Sequence, residues 1–356
     1  MRRALLPILI VVVGVGLIIS LFRGPIAMRV MRAVLESNLA ADPFDAFDDG
    51  LHVVLCGASG PLVDRDRSGP CLAIIAGRKL YMVDVGAGAY RSLSAQGLQP
   101  GLVEAVFLTH FHSDHISGLA ELGVMRWVGG SWKTPLPVYG AEGLREITSG
   151  LNQAFRLDAV FRSAHHGSEV VPPTGAGLSA KTFPEPELGT STIVFDRDGL
   201  RVAAFRVDHD PVKPAIGYRF DYEGRSVVVS GDTSKSANLE RFAKGVDLLV
   251  HEALSPTLMG LIEEVATEQG VVGIAKVSRD VLNYHATPVE AAESAQTTGA
   301  KHLLYYHIVP PTPLPGLASV FLEGVADAYA GPVTLGRDGT MISLPSGSER
   351  VIVVSE

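Results

Sequence analysis

The sequence predicts an α+β fold in which two β-sheets lie between layers of helices, preceded by one apolar N-terminal helix. Three observations support this prediction. Short apolar and β-branched runs recur in both halves of the chain, helical segments alternate with them, and one long uncharged run stands at the N-terminus. At 356 residues the chain is long enough to bury a large core.

The N-terminal run, residues 4–22, contains 19 residues without a charge and follows Arg2 and Arg3. A helix of this length spans about 28 Å, close to the ~30 Å hydrocarbon core of a bilayer. No good small-residue cleavage site follows directly, so residues 1–23 are predicted to be a transmembrane signal anchor. We therefore expect a single-pass protein of a bacterial-type inner membrane. Arginines flank both ends of the run and leave its orientation open, with a periplasmic catalytic domain favoured.

Residues 24–50 are predicted to form a juxtamembrane helix and an acidic linker, which marks a domain boundary. Between residues 51 and 85, three strand patterns separated by turns predict a meander. A helix then precedes the strand VEAVFLTH, and residues 117–165 are predicted to be helices and loops with one short strand.

The second half of the chain repeats this alternation. Four strand patterns end at SVVVSGD, and a helix and the strand VDLLVHEA follow. After a helical stretch, Thr287 and Pro288 supply an N-cap and a first-turn proline for a further helix, which leads into the strand KHLLYYH. The globular domain is predicted to extend over residues 51–345, and residues 346–356 are predicted to be a C-terminal strand or tail.

The charge of the chain bears on its partners. The net charge is −8 and the pI is near 5.8, whereas nucleic-acid-binding proteins usually present a basic face. Nucleic acid is therefore not expected as the main partner. A small-molecule ester and the membrane are the expected partners, and the sequence is compatible with a homodimer.

Side chains that can bind metals stand at the ends of four predicted strands. The segment LTHFHSDHISGL alone contributes three histidines and an aspartate directly after an apolar strand. Such placement at the rim of a sheet is typical of active sites on rigid scaffolds. Mixed imidazole and carboxylate ligands suit zinc, with manganese and iron as alternatives. The candidate ligands are His110, His112, Asp114, His115, His209, Asp232 and His307.

Seven candidate ligands are too many for one tetrahedral ion. Two ions that share a bridging carboxylate would use them, and a water held between two divalent ions is deprotonated near neutral pH and becomes a nucleophile. The sequence therefore predicts a binuclear centre with two Zn²⁺ ions as cofactors.

These motifs resemble those of the metallo-β-lactamase superfamily of binuclear hydrolases. The resemblance rests on THFHSDH, Asp84 in MVDVG, His209, Asp232 in SGDT and His307. The segments LVHEAL and HATPVEAAESAQTTGAKHLLYYH resemble the HEAT and HST loops of the ribonuclease Z branch, which also includes arylsulfatases of this fold. The resemblance covers about residues 51–345 and implies a four-layer αββα sandwich.

The resemblance also implies how the ligands are shared. One ion would be held by His110, His112 and His209, and the other by Asp114, His115 and His307. Asp232 would bridge the two ions.

Two further residues receive roles from the resemblance. His285 would donate a proton to the leaving oxygen, which suits a histidine near two cations, and Glu252 would orient it. With Asp114, they make up the predicted catalytic set. Leu254 and Ala286 depart from the threonine of HEAT and the serine of HST.

The spacing of the motifs guides the choice of substrate. Only 22 residues separate His209 from Asp232, too few for the long arm with which tRNA-processing members grip tRNA. Residues 255–283, between the two catalytic loops, would wall an apolar pocket for a small molecule. The sequence therefore favours a membrane-anchored zinc hydrolase of a small phosphodiester or an aryl sulfate ester. The alternatives, in order, are a ribonuclease Z-like endoribonuclease for tRNA 3′ processing, a lactonase or β-lactamase, and a non-catalytic metal-binding protein.

The two cysteines, Cys56 and Cys71, end one predicted strand and begin the next, with 14 residues between them. Antiparallel pairing could bring them opposite each other. If the domain is exported we expect a disulfide, which would stabilise the fold by about 3 kcal/mol on the chain-entropy estimate. The alternative is a pair of buried thiols.

Overall fold

The computed structural model of the protein describes residues 22–37 and 39–354. The chain divides into two compact units between Ala46 and Phe47. In the first unit, residues 22–37 form a helix, α1, whose described side chains are all exposed. The second unit contains all the described strands.

The predicted transmembrane helix, residues 4–22, lies outside the described residues except for Phe22. Within the described part of the chain, no helix combines the length and the apolar character needed to cross a membrane. The apolar run ends at Phe22, and α1 beyond it carries four charged residues, Arg23, Arg29, Arg32 and Glu36. The predictions of a transmembrane helix in the fold, of a membrane partner and of an inner-membrane location are corrected on this finding.

The first sheet contains eight strands. These are β1 (Gly50–Gly57), β2 (Cys71–Ala76), β3 (Lys79–Val83), β4 (Val103–Phe107), β5 (Leu136–Gly140), β6 (Leu178–Thr182), β14 (Met341–Pro345) and β15 (Ile352–Val354). Their order is β15-β14-β1-β2-β3-β4-β5-β6. Strands β1 to β3 form the predicted antiparallel meander, and β3 to β6 are parallel.

The second sheet contains seven strands. These are β7 (Thr192–Arg197), β8 (Leu200–Arg206), β9 (Ile216–Tyr222), β10 (Arg225–Val229), β11 (Leu248–Leu254), β12 (His302–Val309) and β13 (Val333–Leu335). Their order is β13-β12-β11-β10-β9-β8-β7, antiparallel from β7 to β10 and parallel from β10 to β13. The parallel strands bring their carboxyl ends to one edge of the sheet.

Helices of the second unit lie between the strands in sequence. They are α2 (Ala89–Ala95), α3 (Ser113–Ile116), α4 (Leu119–Gly130), α5 (Leu144–Ala154), α6 (Arg156–His166), α7 (Ala237–Phe242), α8 (Pro256–Glu268), α9 (Val272–Asp280), α10 (Pro288–Thr298), α11 (Leu317–Phe321) and α12 (Val325–Ala328). As the sequence predicts, Thr287 caps α10, in a capping box with Glu290, and Pro288 occupies its first turn.

The two sheets pack face to face, and alternation along the strands assigns each side chain to a layer. Val227 and Val229 of β10 belong to the apolar core between the sheets, whereas Val228 faces the helices on the outer side. In that outer core, Ala291 and Ala295 of α10 join Val228. Over the described residues, the predicted sandwich of two sheets between helices is confirmed.

Cys56 and Cys71 form a disulfide, with their Cα atoms 5.0 Å apart. The antiparallel pairing of β1 and β2 brings them together, as the order of the predicted strands indicated. The disulfide closes the loop of residues 57–70.

Candidate metal centre

The candidate ligands meet at the carboxyl ends of the parallel strands of both sheets. Asp84 directly follows β3, His110 is the third residue after β4, and Asp232 is the third residue after β10. His307 lies near the end of β12. Because parallel strands end at the same edge, residues distant in sequence are brought to one place, as is usual for sites on such sheets.

The histidine-rich segment turns sharply after β4, which explains its crowding. The four-residue helix α3 begins at Ser113 and carries Asp114 and His115. The backbone oxygen of His115 accepts a hydrogen bond from the amide of Val85, at 2.8 Å, which ties this turn to the end of β3. One short loop thereby contributes ligands to two neighbouring groups.

The structure brings all seven candidate ligands together, and two of three overlapping groups of possible ligands among the described residues contain all seven; the third consists of Asp232, His285 and His307. Within each group, the possible ligand atoms lie within 4.8 Å of one another. The first group contains His110, His112, His209 and Asp232, and the second contains Asp114, His115 and His307.

Asp232 lies between the two groups. Its Oδ1 is 3.4 Å from Nε2 of His115, and its Oδ2 is 3.3 Å from Nε2 of His307. On the other side, Oδ2 is 3.7 Å from Nε2 of His110 and 3.9 Å from Nε2 of His209. The carboxylate of Asp232 therefore faces imidazoles of both groups.

The donor atoms themselves test whether metal ions fit. Nε2 of His110, His115 and His209 and Oδ1 of Asp232 are all buried without a hydrogen-bond partner among the described residues. Leaving buried polar atoms unsatisfied is costly, and divalent cations would satisfy them. An imidazole and carboxylate set of this kind suits zinc, so the residues present fit a binuclear centre.

A layer of hydrogen bonds behind the ligands fixes the orientation of three imidazoles. Nδ1 of His115 lies 2.8 Å from Oδ2 of Asp84, and Asp84 also accepts hydrogen bonds from the amide and hydroxyl of Thr109. Nδ1 of His110 lies 3.1 Å from the hydroxyl of Thr109, and Nδ1 of His209 lies 2.8 Å from the carbonyl oxygen of Tyr284. Each ring therefore presents Nε2 to the centre.

Sequence reasoning missed two members of this layer. Thr109 lies directly before His110 inside the quoted motif, so its position was available as a signal although its role was not assigned. Tyr284 acts through its backbone carbonyl, which leaves no trace in the type of residue. The centroid of its ring also lies 4.6 Å from the centroid of the His209 ring.

Burial and neighbouring charges shift the pKa values of the centre in opposite directions. Burial alone would raise the pKa of Asp232, but the surrounding His307, His115 and His110 hold it well below its usual value. Burial alone would lower the pKa of His115, but Asp232 and Asp84 outweigh it and raise the pKa well above its usual value. The carboxylates therefore attract positive charge, which protons supply when cations do not.

His285 and Glu252 form a pair beside the ligands. Nδ1 of His285 lies 3.0 Å from Oε1 of Glu252, a fully buried carboxylate of β11. Burial alone would lower the pKa of His285, but Glu252 outweighs it and raises the pKa to about 9. The ring centroid of His285 lies 5.2 Å from the ring centroid of His209 and 5.7 Å from that of His307.

The two departures from the HEAT and HST motifs leave the contacts of this pair in place. Glu252 accepts a hydrogen bond from the amide of Ala286 at 3.1 Å, and the carbonyl of Ala286 accepts one from the amide of Leu254 at 2.8 Å. Both contacts use backbone atoms. The side chains that differ at positions 254 and 286 are therefore not needed for them.

The sequence of this chain is similar to sequences of known proteins. Residues 82–308 match a family model described as the beta-lactamase superfamily domain. Ribonuclease Z of Mycobacterium sp. (strain KMS) is 34% identical over 289 residues, which cover 81% of this chain and 94% of that protein. Ribonuclease Z of Mycobacterium avium (strain 104) is 32% identical over 290 residues, covering 81% and 96%.

Solved structures agree on the fold. The short form of human tRNase Z (ELAC1) gives a TM-score of 0.60 at 22% identity, covering 83% of this chain and 99% of that one. The metallo-beta-lactamase fold protein YhfI from Bacillus subtilis gives a TM-score of 0.60 at 18% identity, covering 82% and 99%.

Replacing the bridging carboxylate tests the centre. Asp232→Ala should lose at least one of two bound ions per chain and nearly all hydrolytic activity, because Asp232 lies between both ligand groups. Metal content measured by elemental analysis after gel filtration checks this. Asp196→Ala, at an exposed aspartate of β7, is the control and should keep both ions. Full activity of the wild type after exhaustive chelation would rule out a metal-dependent mechanism.

Proposed function

Because this chain belongs to the metallo-β-lactamase superfamily, in its ribonuclease Z branch, we propose that it is a zinc-dependent endoribonuclease that cleaves precursor tRNA near its 3′ end. Its class is that of a metal-dependent hydrolase of ester bonds. One observation carries the choice of substrate: a relative named ribonuclease Z is 34% identical over 81% of this chain and 94% of its own length.

The sequence-based choice of a membrane-anchored hydrolase of aryl sulfates or small phosphodiesters is wrong, as is the expectation of a small-molecule partner in place of nucleic acid. Relatives that match over 81% of the chain are named ribonuclease Z. The short spacing between His209 and Asp232 excludes one way of gripping tRNA but does not bear on cleavage of its backbone.

The net charge of the chain was also a misleading guide to its partner. The value of −8 is a sum over the whole chain, including the acidic segment around residues 42–49. Recognition of a polyanion depends on the local field, and cations at the ligand groups would reverse that field where the phosphate reacts.

The residues around the centre divide the chemistry among them. When bound, two divalent ions lower the pKa of water and neutralise charge on a phosphodiester. The ligand carboxylates hold the centre, and His285 supplies the proton that the departing ribose oxygen needs. Glu252 holds Nδ1 of His285 and leaves the other ring nitrogen to face the leaving group.

The direct test uses a precursor tRNA with a 3′ trailer. The purified protein should release the trailer in the presence of Zn²⁺ and should stop doing so after chelation or in Asp232→Ala, measured on a denaturing gel. Mature tRNA without a trailer is the matched control and should remain intact. A protein that holds two ions and leaves the precursor uncut would contradict the proposed substrate.

Removing the proton donor separates its role from that of the metals. His285→Ala should slow cleavage of RNA by roughly 10²- to 10⁴-fold, because a ribose oxygen is a poor leaving group. Hydrolysis of a nitrophenyl phosphodiester, whose leaving group needs little protonation, should fall much less, and metal content should stay unchanged. His302→Ala, at a histidine that contacts Thr334 instead, is the control. Equal losses on both substrates would contradict the role of an acid.

The pH dependence tests the link between His285 and Glu252. The acid must be protonated, so the rate of RNA cleavage should fall as pH rises through the pKa of His285, which Glu252 raises to about 9. Bound cations repel the imidazolium and move this limb to lower pH. Glu252→Gln removes the carboxylate and should move the limb further down, as measured by kcat/KM against pH. An unmoved limb would show that another group titrates.

A further inference from the structure

His307 has a backbone conformation that needs support. Its φ is 45°, in the left-handed region that residues with a side chain seldom adopt. The pairing of β11 with β12 shifts register between Glu252 and Ala253, at the level of this residue. Such a conformation persists only where neighbouring contacts enforce it.

The segment after β1 supplies those contacts. The carbonyl of Ala58 accepts a hydrogen bond from the amide of Ile308 at 2.9 Å, and Ser59 forms a parallel β-bridge with Ile308. A Cβ added to Gly60 would lie 3.1 Å from Cε1 of His307 and 2.6 Å from a methyl of Val309. Residues 58–60 therefore hold the backbone that follows His307 and pack against its ring.

The disulfide holds this segment at the point where the regular pairing of β1 with β2 is interrupted. The pairing of β1 with β2 shifts register between Leu55 and Gly57, so Cys56 occupies a bulge in the ladder. The fully buried bond from Cys56 to Cys71 joins the strands at this point. Without it, hydrogen bonds remain, among them those that Asp338 accepts from the amides of Ala58 and Ser68.

The other end of the loop also lies near the second ligand group. The amide of Gly86 donates a hydrogen bond to the carbonyl of Pro70 at 2.9 Å. A Cβ added to Gly86 would lie 2.5 Å from the carbonyl oxygen of Asp114. Both ends of the disulfide-closed loop thus approach ligands of one group, that of Asp114, His115 and His307.

We propose that the Cys56–Cys71 disulfide positions His307, so that breaking it selectively weakens the ion site of Asp114, His115 and His307. The site of His110, His112 and His209 would keep its affinity. The inference rests on the metal centre proposed above. Reduction by a small dithiol breaks the S–S bond. The dithiol supplies two electrons and two protons, which convert Cys56 and Cys71 into thiols, and the dithiol itself becomes a cyclic disulfide.

The test compares the two ion affinities in the full-length protein. Cys56→Ala/Cys71→Ala should bind one Zn²⁺ as the wild type does and the second 10- to 100-fold more weakly, the usual effect of losing the support of a ligand. Competition with a chromogenic chelator measures both affinities. Wild-type protein reduced with dithiothreitol should show the same loss, with the thiols counted to confirm reduction.

A matched control distinguishes positioning from general loss of stability. Ile74→Ala opens a cavity at a fully buried residue of β2 and leaves residues 56–60 and Cys71 unchanged, so both ions should bind as in the wild type. Gly60→Ala keeps the disulfide and pushes on His307 directly, so it should weaken the second ion alone. If the cysteine variant fails to fold, the wild-type protein reduced with dithiothreitol carries the test of the disulfide.

Three results would overturn the inference. These are wild-type affinities for both ions in the cysteine variant, wild-type affinities in Gly60→Ala, and an equal loss of the second ion in Ile74→Ala. A wild type that binds fewer than two ions would overturn the binuclear centre as well, so the two failures are distinguishable.

Discussion

The rest of the centre depends on the contacts between the carboxylate of Asp232 and the imidazoles around it. This carboxylate lies at 3.3 to 3.9 Å from four imidazole nitrogens that come from three separate parts of the chain. Such a buried carboxylate is tolerable only with compensating positive charge. The two sheets, which bring β4, β8, β10 and β12 to a common edge, are the means by which that charge is assembled around one residue.

Backbone turns at the strand ends direct the ligands inward. Asp84, Gly231 and His307 all have left-handed φ values, 53°, 63° and 45° respectively. Each lies at or beside the point where a chain leaves its strand and must turn toward the centre. Strained backbone commonly collects at functional sites, where surrounding contacts enforce it. Here Thr109 contacts both Asp84 and Gly231, so one residue supports two of these turns.

Four carboxylates around the site make two different kinds of contact. Asp84 and Glu252 each hold the Nδ1 of one histidine and also accept backbone amides, which fixes them in place. Asp114 and Asp232 instead face ring nitrogens across the centre. Histidines and carboxylates thus occur both in the candidate ligand groups and in the pairs behind them, and the partners of each residue distinguish the two positions.

The order of strands and helices and the meander could be predicted from the sequence, because they follow from local patterns. The sequence also placed Cys56 and Cys71 on neighbouring strands, but it left a disulfide and a pair of buried thiols both open. It also identified the family, whose motifs are local. A local pattern misled it about the substrate, where one spacing was taken to exclude RNA. The backbone groups that orient the candidate ligands become visible only in the folded structure. The carbonyl of Tyr284 holds His209 from 75 residues away, and Ala58 supports His307 from the other sheet. Such contacts depend on how the strands pack, and a backbone carbonyl has no residue type to reveal it.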